Sequence, residues 1–200
     1  MQVFLETERL VLRRFTTDDV DILVELDSDP DVMRYLTGGT PTPRAVIEDD
    51  ILPHWLKHYE RSDGFGFWAA IEKTSGDFLG WLHFRPPEGA GPGEVELGYR
   101  LRRAAWGQGY ATEGSRALIR TGFTELGVRR VVASTYQDNL ASRRVMEKAG
   151  LTLVRAYRPT PEELAALGLD AAAQDLFPGD DVEYALEKAD WERQEATRGR

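Results

Sequence analysis

Two stretches of the chain place ligand-binding and proton-carrying residue types at short spacings. The first, residues 94–114 (EVELGYRLRRAAWGQGYATEG), is an apolar strand that feeds a glycine-punctuated turn opening a helix. Gly107 and Gly109 remove the Cβ atoms that keep a ligand off the backbone, and the helix that follows presents unpaired N–H groups at the positive end of its dipole. Such a turn suits a pyrophosphate. Basic residues just upstream, Arg100, Arg102 and Arg103, are compatible with an anionic ligand, and Glu96 puts a carboxylate on the same strand face as Gly98. The second stretch, residues 139–150 (NLASRRVMEKAG), sets Ser142 three residues after Asn139, one helical turn on, so that both can face one ligand.

The elements that hold these residues follow from periodicity and punctuation. Residues 9–15 (RLVLRRF) alternate apolar and basic side chains and read as a first strand, after which Thr16 to Asp19 start a helix that reaches about Asp29. Pro30 and the run Gly38-Gly39-Thr40-Pro41 break the chain. A second helix is predicted over about 42–60, with a kink at Pro53. Residues 65–73 and 77–85 are strand-like and joined by Thr74-Ser75-Gly76, a hairpin signal. A strand over 95–101 and a helix over about 109–126, stopped by Gly127, carry the first motif. Residues 130–136 are β-rich, 139–149 helical with Gly150 as the stop, and 151–158 another strand. Thr160-Pro161-Glu162-Glu163 caps a short helix before a final strand over 182–187. Residues 1–190 therefore read as a single mixed α/β domain with an antiparallel first half, and the polar residues 191–200 as a frayed tail.

At this point the chain resembles the GNAT superfamily of acetyl-CoA-dependent N-acetyltransferases, over residues 9–190 and closest to the branch of the ribosomal-protein-alanine acetyltransferases. The likeness rests on Leu97-Gly98-Tyr99 with residues 106–113 (WGQGYATE), on residues 139–150, and on residues 182–186 (VEYAL) near the end. It implies a mostly antiparallel sheet of about seven strands flanked by helices. It also implies acetyl-CoA as cofactor, its pyrophosphate on the backbone N–H groups of Gly107, Gly109, Tyr110, Ala111 and Thr112, with Arg102 or Arg103 lending charge. A distorted strand in relatives frees backbone N–H groups for pantetheine and the thioester carbonyl; here Tyr99 and Leu101 hold those positions, and Gly98 permits close approach.

Acetyl transfer to an amine needs a base for the ammonium proton, a donor for the carbonyl oxygen and an acid for the leaving thiolate. Glu96 is the candidate base, acting through water, or else an ion-pair partner. Relatives place a tyrosine acid where this chain has Met146, so Ser142 is the substitute, or else a helix-terminus hydroxyl bonded to backbone. Asn139 is implied to bind pantetheine or to act as an N-cap; Arg143 and Arg144 could meet the adenosine phosphate or form a solvated face. Trp106 stands where the family usually has Gln or Arg. The acceptor is a protein N-terminus or a small amine, and a homodimer is compatible with the family. A CoA-binding protein without turnover is the alternative from another class.

Composition narrows the remainder. A formal net charge of −9, from 25 Lys and Arg against 34 Asp and Glu, argues against a nucleic-acid partner. No apolar run approaches the roughly 20 residues of a membrane span, and the start of the chain has no secretory pattern, so a soluble cytoplasmic protein is expected. Zero cysteines exclude disulfides and thiolate chemistry. His54 and His58 are four apart but lack a third ligand or an intervening glutamate, so no metal is expected. Gly107-Gln108-Gly109 is not a dinucleotide fingerprint, because Thr112 takes the third glycine position and the unit follows a hairpin. Tyr35, Trp55, Tyr59, Trp68, Trp81 and His83 are candidates for an acceptor groove or for the core.

Overall fold

The computed structural model describes residues 2–61, 64–87, 89–158, 160 and 179–198. Period-2 burial organises its strands. In β3 (Gly66–Glu72), Phe67 and Ala69 face one apolar cluster while Trp68 and Ala70 face another, so this strand is covered on both sides. Around it lie β1 (Val3–Glu6), β2 (Leu10–Arg14), β4 (Phe78–Arg85), β5 (Glu94–Leu101), β6 (Arg130–Tyr136), β7 (Thr152–Tyr157) and β8 (Asp181–Glu187). They form one eight-stranded sheet in the order β1-β2-β3-β4-β5-β6-β8-β7. Every neighbouring pair is antiparallel except β5 and β6, which run parallel. A parallel pair needs a crossover, and α5 (Tyr110–Thr124) supplies it. The mixed, mostly antiparallel architecture is the one expected. One more strand is present than predicted: β1 is short and lies at the sheet edge, too brief for alternation to reveal it.

One face of the sheet packs Leu82, Phe84, Val95 and Leu97 against Leu118, Ile119 and Phe123 of α5, with Met146 and Ala149 of α6 (Leu140–Ala149) in the same cluster. The other face packs Phe67, Phe78 and Trp81 against Leu23 and Leu26 of α1 (Val20–Asp27) and Leu52 and Trp55 of α4 (Leu52–Arg61).

Three sequence expectations change here. Pro30 does not simply break the chain. It is the first residue of α2 (Pro30–Thr37), capped by the Asp29 carboxylate, which accepts from the Asp31 N–H. Proline suits that position because its missing N–H has no intrahelical partner to lose. Upstream of Pro53 the chain stays helical through α3 (Arg44–Val46) and a π-helical turn, Ile47–Ile51, in which the Leu52 N–H reaches back five residues to the Ile47 carbonyl. Widening that turn makes room for a proline ring, which would otherwise press on the carbonyl four residues earlier. Finally, residues 191–198 do not fray but belong to α7 (Lys188–Arg198), where Trp191 packs on Phe123 at 5.5 Å between ring centroids and Gln194 Nε2 donates to the Gly150 carbonyl at 3.0 Å. The helix predicted from Thr160 lies outside the described residues. No described helix is long and apolar enough to cross a membrane.

Candidate active site

The β5–β6 ladder ends at the pair Glu96 and Val132, although both strands continue. On its other side β5 stays paired with β4 as far as Leu101, and the Arg102 N–H donates to the Leu79 carbonyl. Strand alternation then turns the N–H groups of Tyr99 and Leu101 away from β4, into the gap where β6 has departed. The Leu101 carbonyl points the same way and accepts from the Trp106 indole at 2.8 Å. A cavity of about 620 Å³ occupies this gap, walled by α2, β4, β5, the turn before α5, β6 and α6.

Gly107, Gly109, Tyr110, Ala111 and Thr112 all line it. Gly109, at φ 86°, is the N-cap of α5 and carries no side chain to occupy the helix donors; the first bond of the helix is Glu113 N–H to the Gly109 carbonyl. The N–H groups of Tyr110, Ala111 and Thr112 are thus left for a ligand. Nothing lies within 4 Å of where a Cβ of Gly107 would stand. This open, donor-rich turn has a shape and polarity that suit a pyrophosphate.

The turn is fastened from the first strand pair. Glu113 accepts from the Thr7 hydroxyl, from the Arg9 N–H at 2.9 Å and from Arg9 Nε at 2.7 Å, while Arg9 also donates to the Gln108 carbonyl at 3.0 Å. Burial works to raise the Glu113 carboxyl, but these hydrogen bonds outweigh it and hold the group below its ordinary range. A carboxylate depressed by folding stabilises above its unfolded pKa and loses that contribution as pH falls through the folded one. Glu113→Gln is therefore expected to cost about 2 kcal/mol near neutrality. In thermal melts the gap between variant and wild type closes as pH falls below the ordinary carboxylate range; a constant gap across pH would mean the charge is not the stabilising element.

Glu96 lines the cavity floor. Its Oε2 accepts from Arg85 at 3.0 Å and lies 3.6 Å from His83 Nε2. Burial raises its pKa and Arg85 offsets part of that rise. Burial also pushes the His83 imidazole down to about 3, helped by Arg85 and Arg100. His83 is consequently neutral near pH 7, and its approach to Glu96 is not an ion pair. The open space that sequence assigned to Gly98 is already taken, because a Cβ there would stand 2.5 Å from His83 Nε2. Gly98 makes room for this imidazole rather than for a ligand.

Ser142, Asn139, Arg144 and Met146 line the opposite wall. Asn139 caps α6, its side chain accepting from the Ser142 N–H and donating to Thr135 Oγ1. The Tyr99 hydroxyl meets both the Ser142 carbonyl at 2.9 Å and the Ser142 hydroxyl at 3.0 Å. A carbonyl can only accept, so the phenol hydrogen goes to it and Ser142 Oγ donates to the phenol oxygen.

Three predicted cofactor contacts are not brought to the cavity. Arg102 pairs with Glu25 at 2.8 Å, Arg103 with Asp29 and Asp31, and Arg143 turns inward to Tyr184 and the Gln137 carbonyl. Each finds acceptors on elements invisible from local sequence. Arg144 and Lys148, four and eight residues beyond the start of α6, and Arg34 of α2 line the cavity instead. The i+3 and i+4 steps that put Arg144 on one helix face with Ala141 and Lys148 separate it from Arg143. Of the aromatic candidates, Tyr35, Trp81 and His83 reach the cavity, whereas Trp55 and Trp68 are core.

The sequence profile of the acetyltransferase (GNAT) domain matches residues 9–152. The chain belongs to the GNAT acetyltransferase family. A relative from Aspergillus fumigatus, FsC-acetyl coenzyme A-N(2)-transacetylase, is 35% identical over 165 residues, 78% of this chain and 68% of its own length. In fold, the chain is similar to a GNAT-family acetyltransferase of Bacillus anthracis, with TM-score 0.71 at 23% identity over 94% of this chain and 99% of that one. It is likewise similar to RimL, a ribosomal alpha-N-protein acetyltransferase solved with coenzyme A, with TM-score 0.72 at 18% identity over 93% and 98% of the two chains. As a GNAT protein it is an acetyl-CoA-dependent acyltransferase acting on an amine, and the splayed strands and open turn are the parts of this chain that fit the cosubstrate.

Proposed function

We propose that the protein acetylates a primary amine by direct attack in a ternary complex, the amine belonging to a protein N-terminus or to a small molecule. The observation that carries this reading is a desolvated carboxylate, Glu96, on the same cavity as an unpaired strand edge and a serine hydroxyl. Acetyl-CoA supplies an acetyl group already activated as a thioester. Glu96 takes the ammonium proton, and its raised pKa brings it closer to the amine it must serve. The N–H groups of Tyr99 and Leu101 receive negative charge that develops on an oxygen in the splay. Ser142 Oγ needs to give up only its contact with Tyr99 to hydrogen-bond a sulfur. The relative named as an N(2)-transacetylase supports acetyl transfer to a nitrogen, and the fold likeness to RimL is compatible with a protein N-terminus as the acceptor.

Release of free CoA thiol on mixing acetyl-CoA with peptide N-termini and small amines tests the reading. Release dependent on an amine is the expected result, and none with any amine overturns it in favour of a CoA-binding protein without turnover. Ser142→Ala is expected to lower kcat about tenfold, the value of roughly one hydrogen bond to charge, while calorimetric CoA affinity holds. A wild-type kcat leaves Ser142 only its place in the cap of α6.

A further inference from the structure

Seven buried side-chain nitrogen or oxygen atoms lack a partner among the described residues, and four of them belong to one patch. These are Trp81 Nε1, His83 Nε2, Arg85 Nε and Arg100 Nε. The patch is a consequence of register. Trp81 pairs with Arg100, His83 with Gly98 and Arg85 with Glu96, so alternate residues of β4 and β5 stand on one face beside the carboxylate. Trp81, His83, Glu96 and Arg100 all line the cavity. Buried polar atoms are rarely left unpaired, so such a cluster on a ligand cavity marks a place where ligand atoms complete the bonds.

We infer that Trp81, His83 and Arg100 form a subsite for an uncharged carbonyl oxygen near the attacking amine, which makes the acceptor an α-amino amide, as at a peptide N-terminus or in an amino-acid amide, rather than a bare alkylamine. The inference rests on the acetyl transfer proposed above. Indole and guanidinium nitrogens only donate, so the complementary ligand group is an acceptor. Its charge is set by what surrounds it. Arg100 is neutralised by Asp27 at 2.5 Å, deep in the core, and Arg85 by Glu96 at 3.0 Å, so the patch offers donors with no surplus positive charge and favours an amide over a carboxylate. Arg100 also lies over the Trp81 ring at 5.0 Å, and Trp81 stacks on His83 at 5.9 Å, which fixes all three in place. Neutral His83 can meet the amine or the carbonyl.

The test compares kcat/KM, expressed per neutral amine, for leucinamide, a short peptide with N-terminal leucine, and isoamylamine, which has the same side chain without the amide. A site built around donors rejects an analogue that leaves them unpaired, so both amides are expected to exceed isoamylamine by about 100-fold or more. Among the amides, preference for the peptide points to a protein source and preference for leucinamide to a small molecule. Trp81→Phe and Arg100→Lys, each retaining calorimetric affinity for acetyl-CoA as proof of folding, are expected to cut the ratio about tenfold. Equal use of the three amines overturns the subsite while leaving acetyl transfer standing, and an undiminished ratio in both variants overturns its assignment to these residues. Failure of every amine to release CoA thiol overturns the acetyl transfer itself.

Discussion

Glu96→Gln lowers kcat/KM for the amine by about 100- to 1,000-fold near neutral pH, the usual worth of a positioned general base, while acetyl-CoA affinity is retained. The wild-type profile rises with pH through the Glu96 pKa, and burial places that limb above the ordinary carboxylate range. In the variant the limb is gone. Its residual rate climbs with the fraction of acceptor already neutral, so the deficit narrows toward alkaline pH. The profile separates catalysis from structure: loss of the Arg85 contact alone would depress the rate evenly at every pH. An E96Q profile with the wild-type limb intact would falsify the assignment of the base.

Gly109→Val weakens acetyl-CoA binding at least tenfold, equivalent to about 1.4 kcal/mol, as read by calorimetry. At φ 86° the residue sits in the left-handed region, where a side chain costs roughly 1–2 kcal/mol and a β-branched one more. Protein atoms are not the obstacle, since the nearest to an added Cβ is Arg9 Nη2 at 3.5 Å. The penalty instead comes from unwinding a turn whose N–H groups must converge on the cosubstrate. Full affinity in G109V would place the pyrophosphate elsewhere.

What the sequence revealed tracks how local each signal is. The turn before α5 is readable because glycine spacing and helix polarity are properties of a few consecutive residues; strand and helix periods put Glu96 and Ser142 on ligand-facing sides, and the family resemblance supplies the roles proposed for them. Arginine destinations were not readable. Arg102 and Arg103 follow the strand that lines the cavity, yet α1 and α2 present carboxylates to them, and Arg143 differs from Arg144 only by a 100° rotation about the helix axis. His83 was missed as a neighbour of Glu96 because only the β4–β5 register brings it over Gly98. Helix α7 reads as a tail in the sequence because it is polar almost throughout, and its single aromatic anchor, Trp191, has no local meaning without Phe123.

That last helix has a mechanical consequence. It grips α5 through Trp191 on Phe123 and the end of α6 through Gln194 on the Gly150 carbonyl. One of those helices begins at the donor-rich turn and the other carries Ser142 in its first turn. Helix α7 therefore ties α5 to α6 from behind the cavity, with residues that line no part of it. Loosening it would leave the turn before α5 and the first turn of α6 each intact while freeing the two helices to shift against each other.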